Sequence, residues 1–195
     1  MDDPVLSDVI FHTDPFYAEC RAYGKIKETE GKRHGKRDLA VPCYGYLFLQ
    51  ERDMQFLRKQ GVNLEEDDVN DELHQVNGED GRVRAIVKEF VPDSGVNSGN
   101  LREILRDIRA LNNLGIYVGD VQAANFKGGK LVDFSLSSTV PHCIMESLDE
   151  DGRRDEELGD LVMFDDMVEE EGLVTTVRAM PDMKHRSKLR SWSKY

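Results

Sequence analysis

NLGIYVGDVQAANFKGGKLVDFS, residues 113–135, holds three polar side chains, Asp120, Asn125 and Asp133, between short apolar runs. The apolar run before Asp120 predicts a short strand, and the segment from Asp120 to Asn125 predicts a loop. Two further short strands surround the glycine pair at 128–129, which favours a tight hairpin turn. The hairpin is expected to bring Asp133 close to the loop that carries the other two residues.

These three side chains have the chemistry that phosphoryl transfer requires. Asp120 is the candidate catalytic base that orients an attacking hydroxyl group. Asn125 and Asp133 are candidate magnesium ligands, because Mg²⁺ prefers hard oxygen donors. The alternative is structural, since Asp and Asn are common in turns, where their side chains bond to the nearby backbone. The pattern alone leaves both interpretations open.

Near the start of the chain, the spacing of apolar residues predicts an amphipathic helix over residues 15–28. Asp14 and Pro15 form a strong helix start, because Asp caps the first turn and Pro fits the first helical position. Glu19 lies beside the apolar face of this helix. It is a candidate for a carboxylate that faces a cation in a cleft, and the alternative is a solvated or capping carboxylate.

Two apolar segments, 39–50 and 82–92, predict an antiparallel pair of strands, the first of them buried. The acidic segment 51–81 between them is expected to be a long insertion with a short helix near its start. After the second strand, Asn100 and Glu103 have the spacing of a capping box for a helix over 100–114.

The last part of the chain alternates in charge. An acidic segment follows residue 142, and apolar positions between 158 and 168 predict a final helix. Residues 178–195 are basic, and the basic run at 31–37 is expected to be a solvated loop. The tail is interpreted either as a docking segment for an acidic partner, or as an internal charge partner of the acidic segment or a frayed terminus.

Composition narrows the class of protein. The chain has 195 residues, which fits one domain. Its net charge of -12 argues against nucleic acid or an anionic membrane as a partner of the whole surface, while it permits a local basic patch. No apolar run is long enough to cross a bilayer, and the acidic start lacks the apolar core of a secretory signal. Three widely spaced cysteines are typical of reduced thiols. We therefore expect an intracellular protein of the nucleus or cytoplasm.

The spacing of Asp120, Asn125 and Asp133-Phe134 resembles the catalytic loop and the metal-binding motif of protein kinases. Helix 15–28 resembles the kinase helix C, and EFVP at 89–92 resembles the hinge between the kinase lobes. The resemblance implies that three further residues belong to a nucleotide site: Glu19, Glu89 and Val91.

The phrases FYAECRAYGKIKE, AVPCYGY, IVKEFVP, GIYVGDVQAANF and VDFSLSSTVPH are similar to fungal kinase-like proteins, and among these to the kinetochore subunit family of the Sim-type centromere complex. The resemblance covers residues 14–142 and, more weakly, 158–192. It implies an α+β, truncated protein-kinase-like fold, with a C-lobe core, helix C and two N-lobe strands. The implied domain organisation has four parts: an N-terminal segment 1–13, a core 14–142 with the insertion 51–81, an acidic segment and final helix 143–177, and the basic tail 178–195.

The chain departs from the kinase pattern at several positions. Val118 and Gly119 stand where kinases have a histidine–arginine pair, and Ser135 replaces the glycine of D-F-G. No glycine-rich loop precedes the first helix. No Lys or Arg precedes Arg21, so Glu19 is expected to lack the lysine with which a kinase helix C pairs.

These departures favour a pseudokinase-type module without a cofactor, which binds protein partners and no membrane. The alternative is an active atypical kinase that uses Asp120 as base, with ATP and Mg²⁺ held at Asn125 and Asp133. That enzyme needs a lysine from elsewhere, for which there are three candidates: Lys25, Lys88 and Lys127. A third hypothesis is that the missing strands lie upstream of Met1 in a longer gene.

Overall fold

The computed structural model describes residue 9 and residues 11–30, 38–63, 83–92 and 94–180. Four segments named above lie wholly or partly outside these ranges: residues 1–8 and 10 of the N-terminal segment, the basic loop 31–37, residues 64–81 of the insertion and residues 181–195 of the tail. The helices are α1 (Pro15–Glu30), α2 (Glu51–Lys59), α3 (Leu101–Asn112), α4 (Cys143–Ser147) and α5 (Glu150–Glu170). The strands are β1 (Cys43–Phe48), β2 (Arg84–Lys88), β3 (Ile116–Tyr117), β4 (Phe126–Lys127), β5 (Lys130–Leu131) and β6 (Ser138–Thr139). The α+β class is confirmed.

Among the described residues, the strands form three small antiparallel sheets. β1 pairs with β2, as predicted, and β4 pairs with β5 in the predicted hairpin, whereas β3 pairs with β6. Gly128 and Gly129 form the hairpin turn with φ values of 59° and 71°, a conformation that glycine adopts without strain. The Val41 N–H donates to the Leu131 carbonyl at 2.9 Å, which joins the segment before β1 to the hairpin.

Helix α1 starts as the sequence predicts. The Asp14 side chain accepts hydrogen bonds from the backbone N–H groups of Phe16 and Tyr17 at 2.9 and 3.2 Å. The apolar face of α1 is buried in the core through Ala22, Tyr23 and Ile26. The helix extends to Glu30, two residues beyond the predicted end.

Helix α3 is the central buried helix, and its predicted apolar stripe is confirmed at five positions: Leu101, Ile104, Leu105, Ile108 and Leu111. The predicted capping box is wrong. Asn100 already has a right-handed helical backbone, and its side chain accepts from the Asn97 N–H at 2.9 Å and donates to the Gly95 carbonyl at 3.1 Å. The Asn100 side chain therefore closes the preceding turn instead of capping the helix.

Helix α5 is longer than predicted. It begins at Glu150, where the Asp149 carboxylate accepts from the Gly152 N–H at 2.8 Å and caps the helix. The residues of its first two turns are mostly charged and exposed, so the sequence there lacks the periodic apolar positions that would predict a helix. Only the second half is buried on one face, through Phe164, Met167 and Val168, and this half packs with α3.

The prediction of a buried first strand is wrong in part. Residues two apart on a strand share a face, so Arg84, Ile86 and Lys88 lie on one face of β2. This face contacts α1, because Arg84 pairs with Asp14 at 2.8 Å. The opposite face is partly exposed at Val87 and on β1 at Leu47. The sheet is therefore covered by α1 on one side only among the described residues.

Candidate functional site

An ion pair joins α1 to β2. The Lys88 ammonium contacts the Glu19 carboxylate, and Lys88 also donates to the Val132 carbonyl at 2.6 Å. The lysine and glutamate side chains retain 24% and 10% of their exposure. The expectation that Glu19 lacks a lysine partner is therefore wrong. The partner comes from a strand 69 residues further along the chain, instead of from a strand before the helix.

Burial dominates the electrostatics of this pair. It raises the pKa of the Glu19 carboxyl above its ordinary value, and the negative charge of Asp133 adds to the rise, while the hydrogen bond and charge of Lys88 oppose it. With a raised folded-state pKa, Glu19 binds a proton more readily in the folded chain than in the unfolded chain. Its contribution therefore favours folding most below the ordinary pKa, and stability falls as the pH rises through the raised one.

Asp133 lies directly after the residue that Lys88 contacts. One oxygen of its carboxylate, Oδ1, accepts from the Ser135 N–H at 2.8 Å, and no other hydrogen bond engages the carboxylate among the described residues. Phe134 is buried and contacts Tyr23 of α1 edge-on, with ring centroids 5.1 Å apart. Asp133 is thus held between a tight turn and a buried ring, with its second oxygen available to a ligand.

Asp120 and Asn125 are brought together in the loop after β3. The Asn125 amide donates to the Asp120 carboxylate at 2.8 Å and to the Asp120 carbonyl at 3.1 Å. The Gln122 amide donates to the same carboxylate oxygen at 2.7 Å. The Val132 N–H donates to the Asn125 carbonyl at 2.9 Å, so this loop is joined to the hairpin that carries Asp133. The predicted closeness of loop and hairpin is therefore confirmed.

Asp160 supports this loop, although the sequence analysis did not identify it. It is 1% exposed, and its carboxylate accepts from the backbone N–H groups of Val118 and Gly119 at 2.8 and 2.9 Å and from the Asn112 amide at 2.6 Å. Burial raises the pKa of Asp160, and these three hydrogen bonds oppose the rise. A signal was present in the sequence, because Asp160 lies four residues before the buried Phe164 and thus on its helix face.

A close approach between two backbone segments explains why residue 119, next to this loop, is a glycine. Gly119 has a φ of 73°, and a Cβ placed there would lie 2.6 Å from the Leu136 carbonyl oxygen. Both observations exclude a larger side chain without a backbone shift. Gly119 therefore has a local geometry that a residue with a Cβ could not adopt unchanged.

The segment after β2 carries the other two predicted nucleotide-binding residues. The Glu89 N–H donates to the Pro42 carbonyl at 2.9 Å, and the Glu89 side chain is exposed. Val91 packs so close to the hairpin turn that a Cβ at Gly128 would lie 2.9 Å from its Cγ1 atom. Nothing in the structure tests a role for Glu89 or Val91 in cofactor binding, and it stays a prediction.

The side chains around the hairpin include the kinds of group that bind a magnesium-bound nucleotide, namely oxygen donors for the metal ion and a cation for a phosphate. The carboxylate of Asp133 and the amide oxygen of Asn125 are hard oxygen donors, and Lys88 is a cation that could contact a phosphate. Glu19 and the Val132 carbonyl already engage that cation, so a phosphate would compete with both. The roles of Asn125 and Asp133 as metal ligands stay predictions.

Comparison with protein families gives one informative result. A family model described as kinetochore Sim4 complex subunit FTA2 matches residues 1–138. Neither the curated proteins nor the solved structures include a match to the chain. Among the described residues, no helix is long and apolar enough to span a bilayer. The matched region includes α1, the ion pair of Lys88 and Glu19, and the hairpin with Asp133.

We expect Asp160→Ala to lower the free energy of unfolding by about 2–4 kcal/mol, because three donors lose a charged acceptor inside the protein. Urea unfolding followed by circular dichroism measures the change. The matched control is Asp155→Ala, an exposed position on the same helix, for which we expect a change below about 0.5 kcal/mol. A loss for Asp160→Ala that is no larger than the loss for the control would contradict the role assigned to Asp160.

Proposed function

The chain belongs to the family of the kinetochore Sim4 complex subunit FTA2, and we propose that it is a non-catalytic, protein-binding subunit of a nuclear kinetochore assembly. The family match supports the membership in such a complex and, with it, a nuclear location. The kinase-like arrangement inferred from the sequence is part of this proposal. In it, the phosphoryl-transfer residues serve as a structural framework that presents a binding surface.

The observation that carries the proposal is a set of exposed apolar side chains on β1, on β2 and on the segment that follows β2. We define the open sheet surface as Tyr44, Leu47, Val87 and Phe90, whose exposures are 68%, 42%, 37% and 88%. Cys43 pairs with Lys88, so Tyr44 and Phe90 lie at the same end of this sheet. Exposed aromatic side chains are enriched where protein partners bind.

The architecture of the sheet is consistent with a missing neighbour. Among the described residues, β1 and β2 have no strand partner other than each other. A two-stranded sheet is marginally stable by itself and leaves backbone donors and acceptors at its edges. A partner strand or an apolar partner segment would complete the layer that α1 covers from one side only.

The contacts of the loop support a structural role for its polar residues in the proposed module. One oxygen of the Asp120 carboxylate accepts from two side-chain amides, those of Gln122 and Asn125. Its other oxygen accepts no hydrogen bond among the described residues, as is also the case at Asp133. Lys88 contacts both Glu19 and the Val132 carbonyl, which joins α1 and β2 to the hairpin. In the proposed module these contacts stabilise the loop and the hairpin that β2 contacts through Lys88.

We expect the double variant Tyr44→Ser/Phe90→Ser to weaken co-assembly with purified Sim4-complex subunits by at least about 10-fold, because it removes two exposed aromatic contacts. Size-exclusion chromatography and titration calorimetry on co-expressed subunits measure the effect. Leu136→Ser is the matched control, since Leu136 is 62% exposed and lies outside the open sheet surface. Failure of the unmodified chain to co-assemble would contradict the proposal, as would equal binding by the double variant and the control.

The second candidate is an active atypical kinase, with Asp120 as base and Mg-ATP on Asn125 and Asp133. The contact of Lys88 with the carbonyl before Asp133 favours it, because it places a cation beside the candidate metal ligand. In this hypothesis Lys88 is the lysine that the sequence analysis sought among three candidates.

A Mg-ATP titration separates the two candidates. The non-catalytic proposal predicts no phosphate transfer from radiolabelled ATP by the purified chain, and the same background signal for the chain and for Asp120→Ala. A transfer signal that depends on Asp120 would overturn it and support the kinase. Thermal shift with Mg-ATP is measured in parallel on the chain, on Asp133→Ala and on the exposed control Asp155→Ala. The non-catalytic proposal predicts that Mg-ATP causes no rise in unfolding temperature that is lost in Asp133→Ala and retained in Asp155→Ala.

A further inference from the structure

A second cluster of metal-binding side chains lies away from the hairpin. One ligand atom from each of His12, His142 and Cys143 lies within 4.8 Å of the others. His12 belongs to the segment before α1, and His142 and Cys143 lie at the start of α4. The cluster therefore joins two segments that are 130 residues apart in the chain.

The hydrogen bond that His142 makes through one ring nitrogen leaves the other nitrogen with a lone pair for a metal ion. It is 4% exposed, and its Nε2 atom lies 3.2 Å from the His12 carbonyl oxygen. A carbonyl only accepts, so Nε2 carries the proton and Nδ1 carries a lone pair. Nδ1 is buried and has no hydrogen-bond partner among the residues that the structure describes. Metal-binding histidines commonly donate their other N–H to a backbone carbonyl, which fixes the ring and the tautomer.

The surroundings hold the two histidines in contact. Their rings meet edge-on with centroids 4.8 Å apart. The Arg21 guanidinium donates to the His12 carbonyl at 2.7 Å and also to the Phe11 carbonyl, which fixes the backbone on this side. Glu146 lies one helical turn after His142 and acts on the same ring with a negative charge that opposes the positive charge of Arg21.

We propose that His12, His142 and Cys143 bind a divalent transition-metal ion of the zinc type, with a solvent molecule as fourth ligand. Two imidazole nitrogens and one thiolate match the donors that Zn²⁺ and Co²⁺ prefer. Zinc-to-ligand distances of about 2.0–2.3 Å require donor atoms to lie closer together than the 4.8 Å limit of this cluster. Binding therefore contracts the cluster, and it ties the segment before α1 to α4.

The test is a Co²⁺ titration of a chain in which His34, His74 and His185 are replaced by alanine. This background leaves only the two histidines of the cluster, since the chain has five. We expect one Co²⁺ per chain, with a thiolate-to-cobalt charge-transfer band and tetrahedral visible bands. In Cys143→Ser the charge-transfer band is lost and the affinity falls by at least about 10-fold. The matched control Cys20→Ser, another half-buried free thiol, retains both signals.

The same titration with Zn²⁺ is followed by thermal unfolding. A metal that binds only the folded chain raises the unfolding temperature, and the rise is expected to disappear in Cys143→Ser and in His142→Ala. Should His142→Ala fail to fold, Cys143→Ser decides alone. Absence of one-to-one Co²⁺ binding overturns the proposal, and so does an unchanged Co²⁺ spectrum in Cys143→Ser.

Discussion

The ion pair between Lys88 and Glu19 is the interaction on which the rest of the structure depends. Lys88 projects from the face of β2 that covers α1, and it also contacts the Val132 carbonyl at the end of the hairpin. Three elements that share no short connection thus meet at one ammonium group. Taking two charges out of water is unfavourable unless they stay paired and hydrogen-bonded, so the loss of either partner leaves a buried charge without compensation.

The local elements of this fold were predictable because their signals are local. Asp14 starts α1, the apolar stripe of α3 has helical spacing, and the glycine pair determines the β4–β5 turn. The prediction that Asn100 caps α3 was wrong because asparagine also closes turns. Which of the two roles it takes depends on the preceding loop. Propensity and spacing describe what a segment can do, and the tertiary structure selects among the possibilities.

The long-range contacts of the candidate site could not be predicted. Lys88 pairs with Glu19 across 69 residues, and Asp160 supports Val118 across 42, without any pattern that connects the partners. The polar residues of the loop were identified correctly as neighbours, since a hairpin and a short loop determine their spacing. Whether Asn125 and Asp133 hold a metal ion depends on distances that spacing alone does not determine. The family match places the chain among kinetochore subunits and is consistent with a framework that presents a surface to partners.

The most direct test of this account is a double-mutant cycle on Glu19→Gln and Lys88→Met, with free energies of unfolding measured in urea at neutral pH. The account predicts that each single variant is destabilised and that the double variant loses less than the sum, with a coupling of about 1–3 kcal/mol. Effects that add to within about 0.5 kcal/mol would contradict it, because they would show that the two side chains stabilise the fold independently.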